Sequence, residues 1–258
     1  MNGIVIHIPH SSDYVPEFFY PCFFDIDKIK EELNVMTDWY TDDLFDIGFC
    51  HNVQYVKHRY SRIICDPERF LNPVDEQMMA KGMGMYYTHS HKNQKMKRNP
   101  FESLEGLSYY SVALQMYKKH QELFFNTVKS ALFTFKDVII VDAHSFSDSP
   151  LPYEDDQTTK RPDICIGTDN FYSSATFRDF VYNYFVSKGL SVAFDFPYQG
   201  TVVPLPYVND KNPSLHSVMI EVNKKLYLNG LTNQKNNNYG YVKAILVDLF
   251  VLLKDFKF

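Results

Sequence analysis

The chain has 258 residues, 45% of them hydrophobic and 22% charged, with a formal net charge of −5. These values are ordinary for a globular protein and exclude disordered, collagen-like and coiled-coil organisation. The negative balance also argues against a broad nucleic-acid footprint, which needs clustered positive charge.

In chain order, Gly3-Ile4-Val5-Ile6-His7-Ile8 is a β-branched run that stops at Pro9 and predicts a buried strand. Helices are expected over 25–33 and over 38–48, the second with Asp38 as N-cap and Gly48 as stop. Strands are expected at 53–56 and 61–65. The stretch 82–107 reads as an insertion or lid, and its basic run from His89 to Arg98 as a solvated loop. A long helix is expected over 108–135, where Tyr110, Leu114, Tyr117, Phe124, Val128 and Ala131 recur at spacings of three, four or seven. Val138-Ile139-Ile140-Val141 is a continuous apolar run, as in a central strand covered on both faces. Asp142-Ala143-His144-Ser145 follows at its end. A polar loop (147–161), a strand (163–166), a helix (173–187), strands at 191–194 and 217–222 and a closing helix (239–253) complete the pattern. This alternation predicts a three-layer α/β/α sandwich around a mixed, mostly parallel sheet, in one domain over 1–258.

The four cysteines, Cys22, Cys50, Cys65 and Cys165, form no CxxC pair. In a chain of this length they read as free thiols in a reducing compartment. Met1-Asn2-Gly3 lacks a basic leader, and the apolar run 244–253 holds Asp248 and is too short to span a bilayer. The expectation is a soluble cytoplasmic protein with no membrane partner. Its surplus of 22 Phe and 19 Tyr, beside one Trp, fills a core or lines a binding surface.

Three chemically useful residues fall at predicted strand ends: His10, His144 and Glu221. Open α/β sheets bind ligands outside the carboxyl ends of their strands. Two histidines and a carboxylate are a common zinc set that leaves one position open. Singly, each has a plainer reading. A histidine after a strand is usually a hydrogen-bonded loop residue, Glu221 a satisfied buried carboxylate and Asp38 a helix cap.

A series of short motifs tips that balance. Ile8-Pro9-His10-Ser11-Ser12, Thr37-Asp38-Trp39-Tyr40-Thr41-Asp42-Asp43-Leu44-Phe45, Ser61-Arg62-Ile63-Ile64-Cys65-Asp66-Pro67-Glu68-Arg69 and Asp142-Ala143-His144-Ser145 come in this order. Pro162-Asp163-Ile164-Cys165-Ile166-Gly167-Thr168, Pro197-Tyr198-Gln199-Gly200-Thr201 and Ile220-Glu221-Val222-Asn223 follow, with Leu226-Tyr227 behind. Together they resemble the N-formylglutamate amidohydrolase family from residue 8 to residue 227. That family is similar to zinc carboxypeptidases and aspartoacylases in fold and site layout. The resemblance implies a hydrolase with one zinc ion that cuts an amide next to a carboxylate.

Carried over residue by residue, the resemblance implies His10 and His144 as metal ligands. The carboxylate ligand is Asp38, from the family motif, or Asp13, three residues after the first histidine as in carboxypeptidase-like sites; Asp38 is favoured. Asp42 would orient a ligand or lie on a solvated helix face. Glu221 would be the general base, taking a proton from the attacking water and passing it to the leaving amine. Arg62 would oppose the oxyanion charge, and Arg69 would hold the substrate carboxylate, which suits the guanidinium fork. Either arginine could instead be a surface ion pair. Tyr198 and Thr201 would line the substrate pocket. Other divalent ions also suit such a ligand set.

Two residues depart from the family pattern. Glu68 stands where the family usually has Asn, and Lys224 where it commonly has Arg. The implied activity is hydrolysis of a small substrate with a carboxylate, by default N-formyl-L-glutamate to formate and glutamate, a step in histidine catabolism. A zinc peptidase or deacylase for another amide, such as a cell-wall peptide, is the alternative. A non-catalytic binding protein on the same fold is a third reading. The oligomeric state is left open.

Overall fold

The computed structural model describes residues 1–48, 50–230 and 232–258. Its centre is a six-stranded sheet in the order β2-β1-β3-β6-β4-β5. The strands are β1 (Gly3–Ile8), β2 (Val53–Lys57), β3 (Val138–Phe146), β4 (Ile164–Gly167), β5 (Val192–Phe194) and β6 (Leu215–Asn223). β2, β1, β3 and β6 run parallel to one another. β4 is antiparallel to β6, and β5 is parallel to β4. The helices are α1 (Ile26–Met36), α2 (Thr41–Leu44), α3 (Leu104–Thr134), α4 (Ala175–Ser187), α5 (Leu205–Asn209) and α6 (Tyr239–Leu253). The expected α/β fold around a mixed, mostly parallel sheet is therefore present.

Strand side chains alternate between the two faces. Ile4, Ile6 and Ile8 of β1, Ile139, Val141 and Ala143 of β3, and Val218, Ile220 and Val222 of β6 face one way. They pack with Phe177, Val181 and Phe185 of α4 and Val242, Leu246, Leu249 and Phe250 of α6. Val5, Val138, Ile140 and Leu215 face the other way, against Phe124, Val128 and Ala131 of α3. Each fully buried side chain of this size contributes roughly 1.5–3 kcal/mol. β3 and β6 are buried along all nine residues. The apolar runs in the sequence reflect this double cover.

The alternation on the α3 face does not stop where the apolar residues do. Val5 is followed by His7, Val138 and Ile140 by Asp142 and His144, and Leu215 by Ser217, Met219 and Glu221. The C-terminal end of this face thus becomes polar while staying buried. In the sheet register His7 lies beside Asp142, and His144 beside Glu221.

Several elements differ from the sequence expectation. β3 runs to Phe146, so Asp142 and His144 lie within the strand rather than after it. The expected strand at 61–65 is a turn, with the Ile64 and Cys65 amides donating to Ser61 O. The helix expected over 38–48 shrinks to α2. Tyr40 precedes it in the left-handed region at φ 62°, which breaks the helix before a cap at Asp38 can form. The stretch 82–107 is no open lid: Met83, Met85, Tyr86, Tyr87 and Met96 are buried with Ile63, Ile64 and Cys65. Within the basic run, Lys97 and His91 are buried too. Cys22, Cys65 and Cys165 are buried free thiols. Among the described residues, no helix is long and apolar enough to cross a membrane.

Candidate active site

The polar end of the α3 face gathers groups from five segments. His10 follows β1, Asp38 follows α1, a turn after β2 carries Arg62, Asp66, Glu68 and Arg69, β3 supplies Asp142 and His144, and β6 supplies Glu221. The Asp38 amide donates to His10 O at 2.9 Å, which ties the first two together. Lys224, just after β6, donates to Thr37 O at 2.7 Å and Val35 O at 3.3 Å. A cation satisfying the last carbonyls of a helix in this way is favourable. Its Nζ also stands 4.0 Å from Asp38 Oδ1.

His10, Asp38 and His144 converge. The two Nδ1 atoms are 3.3 Å apart. Asp38 Oδ2 is 3.3 Å from His144 Nδ1 and 3.8 Å from His10 Nδ1. The far side of each ring faces carboxylates: His10 Nε2 lies 2.9 Å from Asp66 Oδ1, and His144 Nε2 lies 3.1 Å from Asp142 Oδ1 and 3.2 Å from Glu68 Oε1. An ionised carboxylate only accepts, so both Nε2 atoms carry hydrogen. In neutral rings the two Nδ1 lone pairs and Asp38 Oδ2 then face one another, which demands a proton or a cation between them. Of the two rings, His144 is the one whose surroundings favour the proton. Burial opposes its charge, but Glu68, Asp142 and Asp38 outweigh it and hold its pKa well above the ordinary value. His10 is lowered, chiefly by burial and by Arg62.

The donor set fits a divalent metal. Ligands of a tetrahedral ion with bonds of about 2.0–2.1 Å stand roughly 3.3 Å apart, the spacing of the Nδ1 pair. A carboxylate behind each ligand imidazole is the usual support for such an ion. The surroundings agree: the carboxyl groups of Asp38, Asp66, Glu68 and Asp142 line the histidines, against the cations Arg62, Arg69 and Lys224. His10, Glu68 and His144 form a second combination able to hold an ion. Asp13 and Asp42 are exposed, whereas Asp38 is buried.

Arg62 Nε and Nη2 donate to Asp66 Oδ2 at 3.2 and 2.9 Å, and Tyr87 Oη donates to the same oxygen at 2.8 Å. Arg69 Nε lies 3.5 Å from it. Burial opposes ionisation of Asp66, but Arg62, His10 and Arg69 hold its carboxyl well below the usual range. Glu68 turns towards His144 and also lies 3.5 Å from His10 Nε2 and His7 Nδ1. Its charge therefore bears on the histidines.

Glu221 is buried, and its Oε2 has no hydrogen-bond partner. Burial pushes its carboxyl up to about 8, with His144 opposing and Asp38, Asp142 and Glu68 adding to the rise. Tyr198 comes close because Gly167 lets the 195–200 loop approach β4; a Cβ there would meet Gly200 O at 2.0 Å. The Tyr198 hydroxyl donates to Glu154 at 2.7 Å. Thr201 is not brought to the histidines. It bonds Ser217 at 2.7 Å, four residues before Glu221 on β6, about 13 Å of strand.

His7, Asp66, Asp142 and His120 join the site without a role expected from the sequence. Asp66 and Asp142 lie inside quoted motifs, and their signal is an acid within reach of a ligand histidine. His7 and His120 had a subtler one: each is polar at a position whose periodicity is otherwise apolar.

The model of the N-formylglutamate amidohydrolase family matches residues 2–228. A crystal structure of N-formylglutamate amidohydrolase from Ralstonia eutropha JMP134 superposes with a TM-score of 0.77 at 18% identity, covering 99% of this chain and 94% of that one. A gene product of Agrobacterium tumefaciens superposes with a TM-score of 0.66 at 17% identity, covering 98% and 92%. No curated protein matches the chain significantly.

Proposed function

Because this chain belongs to the N-formylglutamate amidohydrolase family, we propose that it is a zinc-dependent hydrolase of an N-acyl amino acid, with N-formyl-L-glutamate as substrate. The observation that carries the reading is the His10–Asp38–His144 cluster. Two of the three separations among its facing atoms, 3.3 Å each, have metal-ligand spacing, the third is 3.8 Å, and each histidine is backed by carboxylates. Other divalent ions suit the same donors.

His10, His144 and Asp38 would hold the ion. When bound, it supplies Lewis acidity for water and for the scissile carbonyl. The chain's own residues do the rest. The Glu221 carboxyl, raised by burial, would be lowered beside a bound cation, and Glu221, with one free buried oxygen, would then accept a proton from the attacking water. The water oxygen bonds to the formyl carbon, and Arg62 opposes the charge that develops on the carbonyl oxygen. Glu221 then returns the proton to the amide nitrogen as the C–N bond breaks. Formate and the free amine of glutamate leave. Arg69 holds the substrate's carboxylate, and Asp66 holds both arginines in place. Tyr198 lines the pocket from the opposite loop.

Glu68, in place of the family's usual Asn, favours a second reading with a different amide substrate. Assays over N-formylglutamate, other N-acyl amino acids and short peptides separate the two, and strong preference for N-formylglutamate removes the second. The mechanism is tested with Glu221→Gln. Turnover is expected to fall about 10²–10⁴-fold while bound metal stays at the wild-type level. Unchanged hydrolysis by this variant, or a wild-type chain that binds no metal, sinks it.

A further inference from the structure

Beneath the proposed metal cluster lies a buried string of three histidines for which the mechanism above has no use. His7 comes from β1, His120 from the buried face of α3, and His58 from just after β2. His7 Nδ1 lies 2.9 Å from Asp142 Oδ1. His7 Nε2 lies 2.8 Å from His120 Nε2, and His120 Nδ1 lies 3.3 Å from His58 Nδ1. The His7 ring stacks on Phe124 at 4.4 Å and 13°.

The donors can be assigned at the end that matters. Asp142 accepts only, so His7 Nδ1 carries hydrogen. The oxygen that receives it, Asp142 Oδ1, is the same one that faces His144 Nε2 at 3.1 Å. Asp142 Oδ1 thus joins His7 to a proposed metal ligand, beside Glu68 Oε1, which lies 3.2 Å from His144 Nε2 and at the longer distance of 3.5 Å from His7 Nδ1. Phe124 fixes the plane of the His7 ring, and His120 fixes its rotation.

His7, Glu68 and Asp142 could instead hold an ion of their own. The contacts argue otherwise. The His7–Asp142 separation of 2.9 Å has hydrogen-bond length, and the same Asp142 oxygen already faces the Nε2–H of His144, so a proton on His7 accounts for the contact without an ion.

We infer that His7 is a positioning residue: through Asp142 Oδ1 it fixes the orientation of His144, so that Nδ1 of His144 is presented to the metal. This rests on the metal reading proposed above. Asp142 stands one step behind the ligand, where support is typically worth about 10–100-fold in metal affinity; His7 stands one step further back, so that range is the ceiling of its effect.

The test uses the full chain, Co²⁺ as probe, and three variants. His7→Asn keeps an N–H near the place of Nδ1. His7→Gln reaches towards His120 and leaves Asp142 without its donor. His7→Leu removes both contacts. Co²⁺ affinity is measured by chelator competition, with the visible cobalt spectrum and thermal midpoint recorded for each. The expected result is Co²⁺ binding weakened by a factor of up to about 10–100 in His7→Leu and His7→Gln, with an altered spectrum, and largely restored in His7→Asn. If His7→Leu fails to fold, the contrast between Asn and Gln decides. Wild-type affinity in His7→Gln, or equal weakening in Gln and Asn, overturns the inference while leaving the metal reading intact. Two ions on the wild-type chain, one of them lost in the His7 variants, overturns it by making His7 a ligand. A wild-type chain that binds no Co²⁺ or Zn²⁺ removes both the metal reading and this inference.

Discussion

The Lys97 ammonium is 1% exposed. Its Nζ donates to Ile63 O at 2.6 Å and stands 3.7 Å from the Tyr86 ring centroid. Burial pushes its pKa down to about 7, with Cys22, Cys65 and Glu32 opposing. In the unfolded chain a lysine titrates near 10.4. Between these values the unfolded chain binds a proton that the folded chain lacks. Stability therefore rises with pH across this window and falls as pH drops towards 7, by up to about 1.4 kcal/mol per pH unit. Melting wild type and Lys97→Met from pH 7 to pH 10 checks this: the wild-type midpoint should gain on the variant as pH rises, and parallel curves refute it. Trp39 provides a second single-residue probe. It is the sole tryptophan, follows Asp38, and donates from Nε1 to Asn34 O at 3.0 Å. Its emission is expected to change when a chelator strips the metal, and a flat spectrum counts against Asp38 as ligand.

Among the elements, α3 covers one face of the sheet and carries His120 within its buried stripe. The stripe is Tyr109, Ala113, Tyr117, His120, Phe124, Val128 and Ala131. The expected set shares Tyr117, Phe124, Val128 and Ala131 with it but takes Tyr110 and Leu114 instead of Tyr109 and Ala113. It also misses the histidine, because hydrophobicity alone cannot mark a polar residue as buried. Phe124→Ala is expected to cost about 3–5 kcal/mol, read from urea unfolding, since the residue packs under β1 and stacks on His7. A loss below about 1 kcal/mol would mean that the α3 packing is wrong. β1 and α6 were legible to the residue because strand and helix periods are local properties. The turn at 61–65 was not. Ile63, Ile64 and Cys65 are apolar because they lie under the 82–107 stretch, and a short apolar run does not distinguish a buried turn from a strand.

For the whole molecule, the balance of charge at the site predicts a link between metal and stability. Without an ion, a group of carboxylates is held together by fewer fixed cations and by protonated histidine. A metal that binds only the folded chain stabilises it, by about 2.7 kcal/mol at one hundred times its dissociation constant. Thermal unfolding with added Zn²⁺ and with chelator is expected to show a higher midpoint in zinc. Identical midpoints would mean that the site holds no metal tightly.

The sequence by itself determined the layered α/β plan and the candidates His10, Asp38, Arg62, Arg69, His144 and Glu221. Strand alternation, helical period and ordered motifs are all written along the chain. Only the tertiary structure decided which atoms face which. It turned Asp38 from a helix cap into a partner of His144, directed Glu68 to the histidines, left Thr201 beside Ser217, and put His7 behind Asp142. These relations join residues up to 135 positions apart. They depend on sheet register and on the direction of buried side chains, which no local pattern specifies.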